Sequence, residues 1–97
     1  MLNLKTMISL PLSLRKNGFN YTQVCRGERS CIYAQRVRQK QIAHEVFIVQ
    51  TRSERYILGK IILAKEKFPS NEDFGKTAWT TWTLEQAKMK FNGLEHK

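Results

Sequence analysis

Between positions 19 and 52 the chain carries three stretches rich in β-branched and aromatic residues: FNYTQVCR (19–26), SCIYAQRVR (30–38) and IAHEVFIVQTR (42–52). Only short polar breaks separate them, around Gly27-Glu28 and at 39–41, and Ser53-Glu54 ends the third. Breaks that short join antiparallel neighbours, because a parallel crossover needs a dozen or more residues. The sequence therefore predicts an antiparallel meander with tight hairpins. A fourth strand is expected over 56–63 (YILGKIIL), with Gly59 as a bulge or bend inside it. Residues 8–14 read as an edge strand, since Pro11 cannot donate to a ladder, and Asn17-Gly18 marks the turn into the first clear strand.

The stretch 68–77 (FPSNEDFGKT) reads as a connection with one capped turn. Ser70 and Asp73 have the spacing of a cap, Gly75 supplies a left-handed stop, and Phe68 and Phe74 are expected to anchor the loop to the core. In AWTTW (78–82), alternation sets Trp79 and Thr81 on one face and Ala78, Thr80 and Trp82 on the other, as in a short final strand. A C-terminal helix follows over 84–92. Thr83 and Gln86 form a capping-box pattern, Leu84, Ala87, Phe91 and Leu94 share one stripe, and Gly93 stands where a C-terminal cap would fall.

Ninety-seven residues leave room for one core, so 1–97 reads as a single domain, with 1–16 either flexible or an edge strand and 83–93 the helix. The expected class is α+β: an antiparallel β-meander of four to six strands followed by one C-terminal helix packed on one face.

The charge balance narrows the class of partner. Seventeen Lys and Arg face eight Asp and Glu, a formal net charge of +9. The excess is confined to positions 1–65, where twelve basic residues face three acids; the remaining third has five of each. Such a chain is expected to meet polyanions or acidic surfaces. With mean hydropathy -0.48 and only a short, interrupted apolar run at 7–14, neither a signal peptide nor a membrane span is expected. Two cysteines at no metal spacing suggest a reduced, cytoplasmic setting.

The catalytic inventory is thin. His44 sits among Ile42, Val46 and Ile48 on a strand face, the setting of a partly buried structural histidine, and His96 lies in the tail. Glu66, Glu72 and Asp73 cluster near the connecting loop, where dipole pairing with a helical turn explains them most simply. No phosphate-cradling glycine loop, nucleophile elbow or histidine pair at metal spacing is present, so no enzyme, cofactor or metal is expected. Cys25 and Cys31 flank the first hairpin turn: a two-residue loop sets them out of register, a three-residue loop sets them opposite each other.

The basic residues carry the strongest functional signal. Arg36, Arg38 and Lys40 project at spacing two towards the second hairpin turn. Arg26 and Arg29 sit at the first turn, and Arg52 and Arg55 at the third, which in a meander lies at the same end of the sheet. Arginine forks suit phosphates, and Tyr21, Tyr33 and Tyr56 offer stacking surfaces where they face outward. The competing reading is that basic hairpin tips are ordinary solvated turns that protect edges, with the tyrosines in the core. Those seven residues, Arg26, Arg29, Arg36, Arg38, Lys40, Arg52 and Arg55, form the expected nucleic-acid-binding set, the nucleic acid being of either kind. The alternative is a protein-interaction module or inhibitor that binds an acidic host protein surface, for which an exposed Trp79 or Trp82 would speak. An open sheet edge also allows a homodimer.

Three segments, LPLSLRKNGFNYTQV, HEVFIVQ and FPSNEDFGKTAWTTWTLEQAKMKFNGL, resemble small uncharacterised proteins carried by bacterial phages and mobile elements. The shared features are Asn17-Gly18-Phe19, Glu45-Val46-Phe47, Pro69-Ser70-Asn71-Glu72, Phe74-Gly75, and the final Trp followed by Leu84-Glu85-x-Ala87. The resemblance implies a small accessory protein of a mobile element, in a bacterial host cell, and attaches no biochemical task.

Overall fold

Ser13–Lys16 (β1), Phe19–Arg26 (β2), Ser30–Val37 (β3), Lys40–Ile48 (β4) and Ala78–Thr81 (β9) form one antiparallel sheet in the order β1-β2-β3-β4-β9. Leu84–Glu95 (α1) packs across β3, β4 and β9 on one face. The computed structural model describes residues 7–96, so the expectation for 1–6 lies outside the described residues. The α+β class, the meander and the helix packed on it are as the sequence predicts.

Alternation along the strands divides the apolar residues between two cores. On the helix face, Ile32, Val46, Ala87 and Leu94 are buried, with Cys25, Ile48, Trp79 and Phe91 packed against them. On the other face, Leu10, Tyr21, Cys31, Tyr33, Phe47 and Ala78 are buried beneath Phe68, Phe74 and Leu14. Phe68 is the key to that second core. Its ring lies 4.7 Å from Tyr21 and 5.3 Å from both Tyr33 and Phe47, which fixes the connecting loop as expected.

Several local expectations need correction. Residues 42–52 are not one strand: β4 ends at Ile48, and Gln50–Arg52 (β5) pairs instead with Lys65–Lys67 (β8). Residues 56–63 are not one strand either. Arg55–Ile57 (β6) and Lys60–Ile62 (β7) pair with each other about a Leu58-Gly59 turn, so Gly59 is a turn residue and Ser53-Glu54 is only a break in an outgoing strand. The edge strand begins at Ser13 rather than position 8, and Ile8 makes an isolated bridge to Lys65.

At the other end of the chain, Thr83 caps α1 by accepting the Gln86 N–H at 3.1 Å, but the Gln86 side chain accepts from Trp82 rather than from Thr83. Gly93 does not end the helix, which continues to Glu95, and Leu84 is exposed rather than buried. The first hairpin matches neither loop length considered for the cysteines. Arg26 pairs with Cys31, Cys25 pairs with Ile32 across a bulge, and the two free thiols belong to opposite cores.

Residues 50–67 thus form a two-stranded arm that leaves the sheet at Val49. Its base is braced from three directions. Glu66 accepts a bidentate pair from Arg26 (2.8 Å each) and the Leu10 N–H (3.0 Å); the Ile8 backbone bonds Ala64 and Glu66; and β8 runs directly into Phe68. The distal pair, β6 and β7, is hydrogen-bonded only to itself among the described residues. The chain extends 44 × 33 × 23 Å, and its radius of gyration of 14.8 Å exceeds the about 12.5 Å of a compact chain this long.

Candidate nucleic-acid interface

The predicted basic residues fall at two ends of the sheet. Arg36 pairs with Gln41, Val37 with Lys40, and Arg38 occupies the turn between them with φ 60°, so Arg36, Arg38 and Lys40 stand together, all exposed. The sequence set them near that turn, but β3 ends at Val37, so Arg38 belongs to the turn itself and not to an extended strand at spacing two. Arg15 joins the same end, because Lys16↔Phe19 closes the adjacent β1–β2 turn and Asn20, which accepts from Arg15, pairs with Arg36. Behind them His44 is buried with Nδ1 lacking a hydrogen-bond partner among the described residues. Burial, and then the charge of Arg36, push its pKa down, so it is neutral at pH 7.

At the opposite end, about 26 Å away along the eight residues of β3, lie Arg26 and Arg29 with the base of the arm. The expected convergence there is partial. The Val49 N–H donates to the Arg29 carbonyl, which ties the first turn to the arm, and Arg52 follows in β5. Arg26, however, is spent on Glu66: that hydrogen bond holds the carboxyl below the usual range and the guanidinium more firmly charged. Arg52 has its Nε buried without a hydrogen-bond partner among the described residues. Arg55 stands farther out on the arm opposite Ile62, because the third turn is not where the sequence put it.

Reading 56–63 as one strand also hid part of the basic surface. Between Gln50 and Lys67 the arm carries Arg52, Arg55, Lys60, Lys65 and Lys67 against Glu54 and Glu66, a net of +3. Lys60, Lys65 and Lys67 belong to this surface by position, and the signal for them was a Leu-Gly pair flanked by RYI and KII. Of the three tyrosines, Tyr21 and Tyr33 are core residues, hydrogen-bonded to Gln35 and to Gln23 and Pro11. Tyr56 is 71% exposed on the arm.

The arm's tip is apolar and open. Leu58 is 96% exposed, and Ile57 and Ile61 are exposed beside it. Leu58 and Gly59 have φ 51° and 80°, a type I′ turn that favours Asn, Asp or Gly in its first position. A leucine held in left-handed backbone costs about 1–2 kcal/mol. The arm's own folding offers no compensating burial.

The acids suspected of chemistry do not gather. Glu66 is held by Arg26, Asp73 accepts from the Ser70 N–H and hydroxyl, and His44 lies on the helix face. Among the described residues no group of three His, Cys, Asp or Glu side chains is placed to hold a metal ion, and no helix is long and apolar enough to cross a membrane. No family model, no curated protein and no solved structure matches the chain.

Proposed function

We propose that this is a small basic accessory protein, of a phage or mobile element as the resemblance of its sequence suggests, that binds nucleic acid without enzymatic action. The contacts are assigned to the basic hairpin ends and the arm: Arg29, Arg52, Arg55, Lys60, Lys65 and Lys67 on one side, Arg36, Arg38 and Lys40 on the other. The observation that carries the reading is the arm. A rigidly based two-stranded ribbon with a net +3 is suited to follow a phosphate backbone, where cationic side chains release condensed counterions. With four to six phosphate contacts, log affinity for duplex DNA falls with log salt at a slope of roughly -3.5 to -5.5. Anisotropy titrations against labelled single-stranded and duplex DNA and RNA at low and high salt test this, and binding that is absent at low salt removes it.

A second reading is favoured by one observation. Trp82 is 69% exposed just beyond the Thr81↔His44 pair, towards the end that carries Arg36, Arg38 and Lys40. An aromatic anchor beside a cationic patch suits an acidic protein surface. Salt-dependent nucleic-acid binding unaffected by Trp82→Ala favours the first reading over this one.

A further inference from the structure

Resting on the nucleic-acid reading above, we infer that the arm enters the minor groove of duplex DNA and that Leu58 is an apolar wedge that opens one base step and kinks the duplex. The chain supplies its own comparison. Its two type I′ turns share nearly one backbone: Asn17-Gly18 at φ 55° and 83°, Leu58-Gly59 at 51° and 80°. The first has the residue the geometry favours; the second has an aliphatic side chain that is 96% exposed. Neither turn chemistry nor burial within the chain accounts for leucine at that position, whereas insertion between bases does.

The surrounding residues decide which groove. Base edges in the major groove are read by Arg, Lys, Asn, Gln and acidic side chains, and of these the tip from Tyr56 to Ile61 has only Lys60. It presents Ile57, Leu58 and Ile61 with only the Tyr56 hydroxyl and Lys60 ammonium as polar groups. Apolar wedges act from the minor groove, at about 6 Å narrow for a ribbon of two strands about 4.8 Å apart, and the kink they cause opens it.

Charge excludes the other occupants of an apolar tip. Basic residues lie along both strands, Arg52 and Arg55 outward and Lys60, Lys65 and Lys67 returning, as two flanking phosphate strands require. Two copies meeting by their arms would set +3 against +3. A lipid surface met by the tip would be reached by Arg55 and Lys60 alone and would leave Arg52, Lys65 and Lys67 about 20 Å or more behind its headgroups.

The test is energy transfer between fluorophores at the ends of a short duplex, with the full chain and two variants. Leu58→Asn installs the favoured turn residue and so keeps the fold. The wild type is expected to bind and bend the duplex by about 20–90°. Leu58→Asn is expected to bind within about threefold of the wild type, since phosphate contacts dominate affinity, and to leave the duplex straight. Arg55→Ala weakens binding and retains the bend. Equal bending by Leu58→Asn, or wild-type binding without bending, overturns the wedge and leaves the nucleic-acid reading standing. No duplex binding at low salt overturns the wedge, and no binding at low salt to single-stranded or duplex DNA or RNA overturns both; capture by anionic vesicles, or self-association abolished by Leu58→Asn, would then name the occupant.

Discussion

The Glu95 carboxylate fills the concavity of the β2–β3 turn, and Gly27 leaves the space for it: a Cβ at Gly27 would lie 2.4 Å from Glu95 Cδ. The carboxylate accepts the N–H groups of Glu28 (2.9 Å), Arg29 (2.9 Å) and Ser30 (2.7 Å), and the Ser30 hydroxyl. An acid in the last helical turn opposes the helix dipole, so the bonds to the turn hold it there. They push its pKa down to about 2, the Ser30 hydroxyl contributing most. The helix end and the first hairpin are thereby one unit.

Glu95→Ala lowers the thermal midpoint at pH 7. Because the native pKa is depressed, the stabilisation is present above the ordinary value of 4.5 and is lost as pH falls towards 2, where variant and wild type converge. Gly27→Ala displaces the same carboxylate, so the double variant loses less than the two single losses added together. Full additivity in thermal melts would contradict the shared contact.

Glu45 has the opposite sign. Its side chain is buried against Tyr21 and Thr80, and burial raises its pKa although the Thr80 hydroxyl opposes this with bonds of 3.0 and 3.1 Å. The native state therefore holds this proton more tightly than the unfolded chain, and stability declines as pH rises past 4.5. Glu45→Gln raises the melting temperature at pH 8 and changes it little at pH 4; a loss at pH 8 would contradict the assignment.

Leu58→Asn, read as a stability change, relieves the left-handed leucine. The arm gains up to about 1–2 kcal/mol, visible as slower hydrogen exchange of the β6 and β7 amides with no change in the sheet. Faster exchange there would mean that Leu58 packs within the arm.

Burial pushes the Cys31 thiol up to about 12, so almost none is thiolate at pH 8. Ellman's reagent is expected to spare Cys31 in the native protein and to react with both thiols in denaturant. Cys25→Ser isolates the native signal of Cys31, and fast labelling of that variant would contradict its burial.

The fold was legible where one local rule acted alone. The strand at 19–26, the Thr83 cap, the Phe68 anchor and the faces of Trp79 and Thr81 each followed from composition, spacing or alternation. The errors arose where two rules compete. Leu58-Gly59 lies inside a run, YILGKIIL, that only Lys60 interrupts with a charge, and leucine masks a turn that Asn would have announced, so the hairpin arm read as one strand. Gly93 looked like a stop, yet a Cβ there would meet nothing within 4 Å, and the helix continues because Glu95 has a partner in the β2–β3 turn that local sequence does not reveal. The candidate site was legible as a basic excess and as its grouping at Arg36, Arg38 and Lys40. The engagement of Arg26 by Glu66, forty positions away, was not.

The most direct test of nucleic-acid binding through the arm is the salt dependence of duplex affinity for the wild type and for Arg55→Ala/Lys60→Ala/Lys65→Ala. A steep wild-type slope is expected that becomes shallower by about 2–3 in the triple variant, one counterion-release increment per lost contact. Equal slopes for the two proteins, or no salt dependence in either, would contradict it.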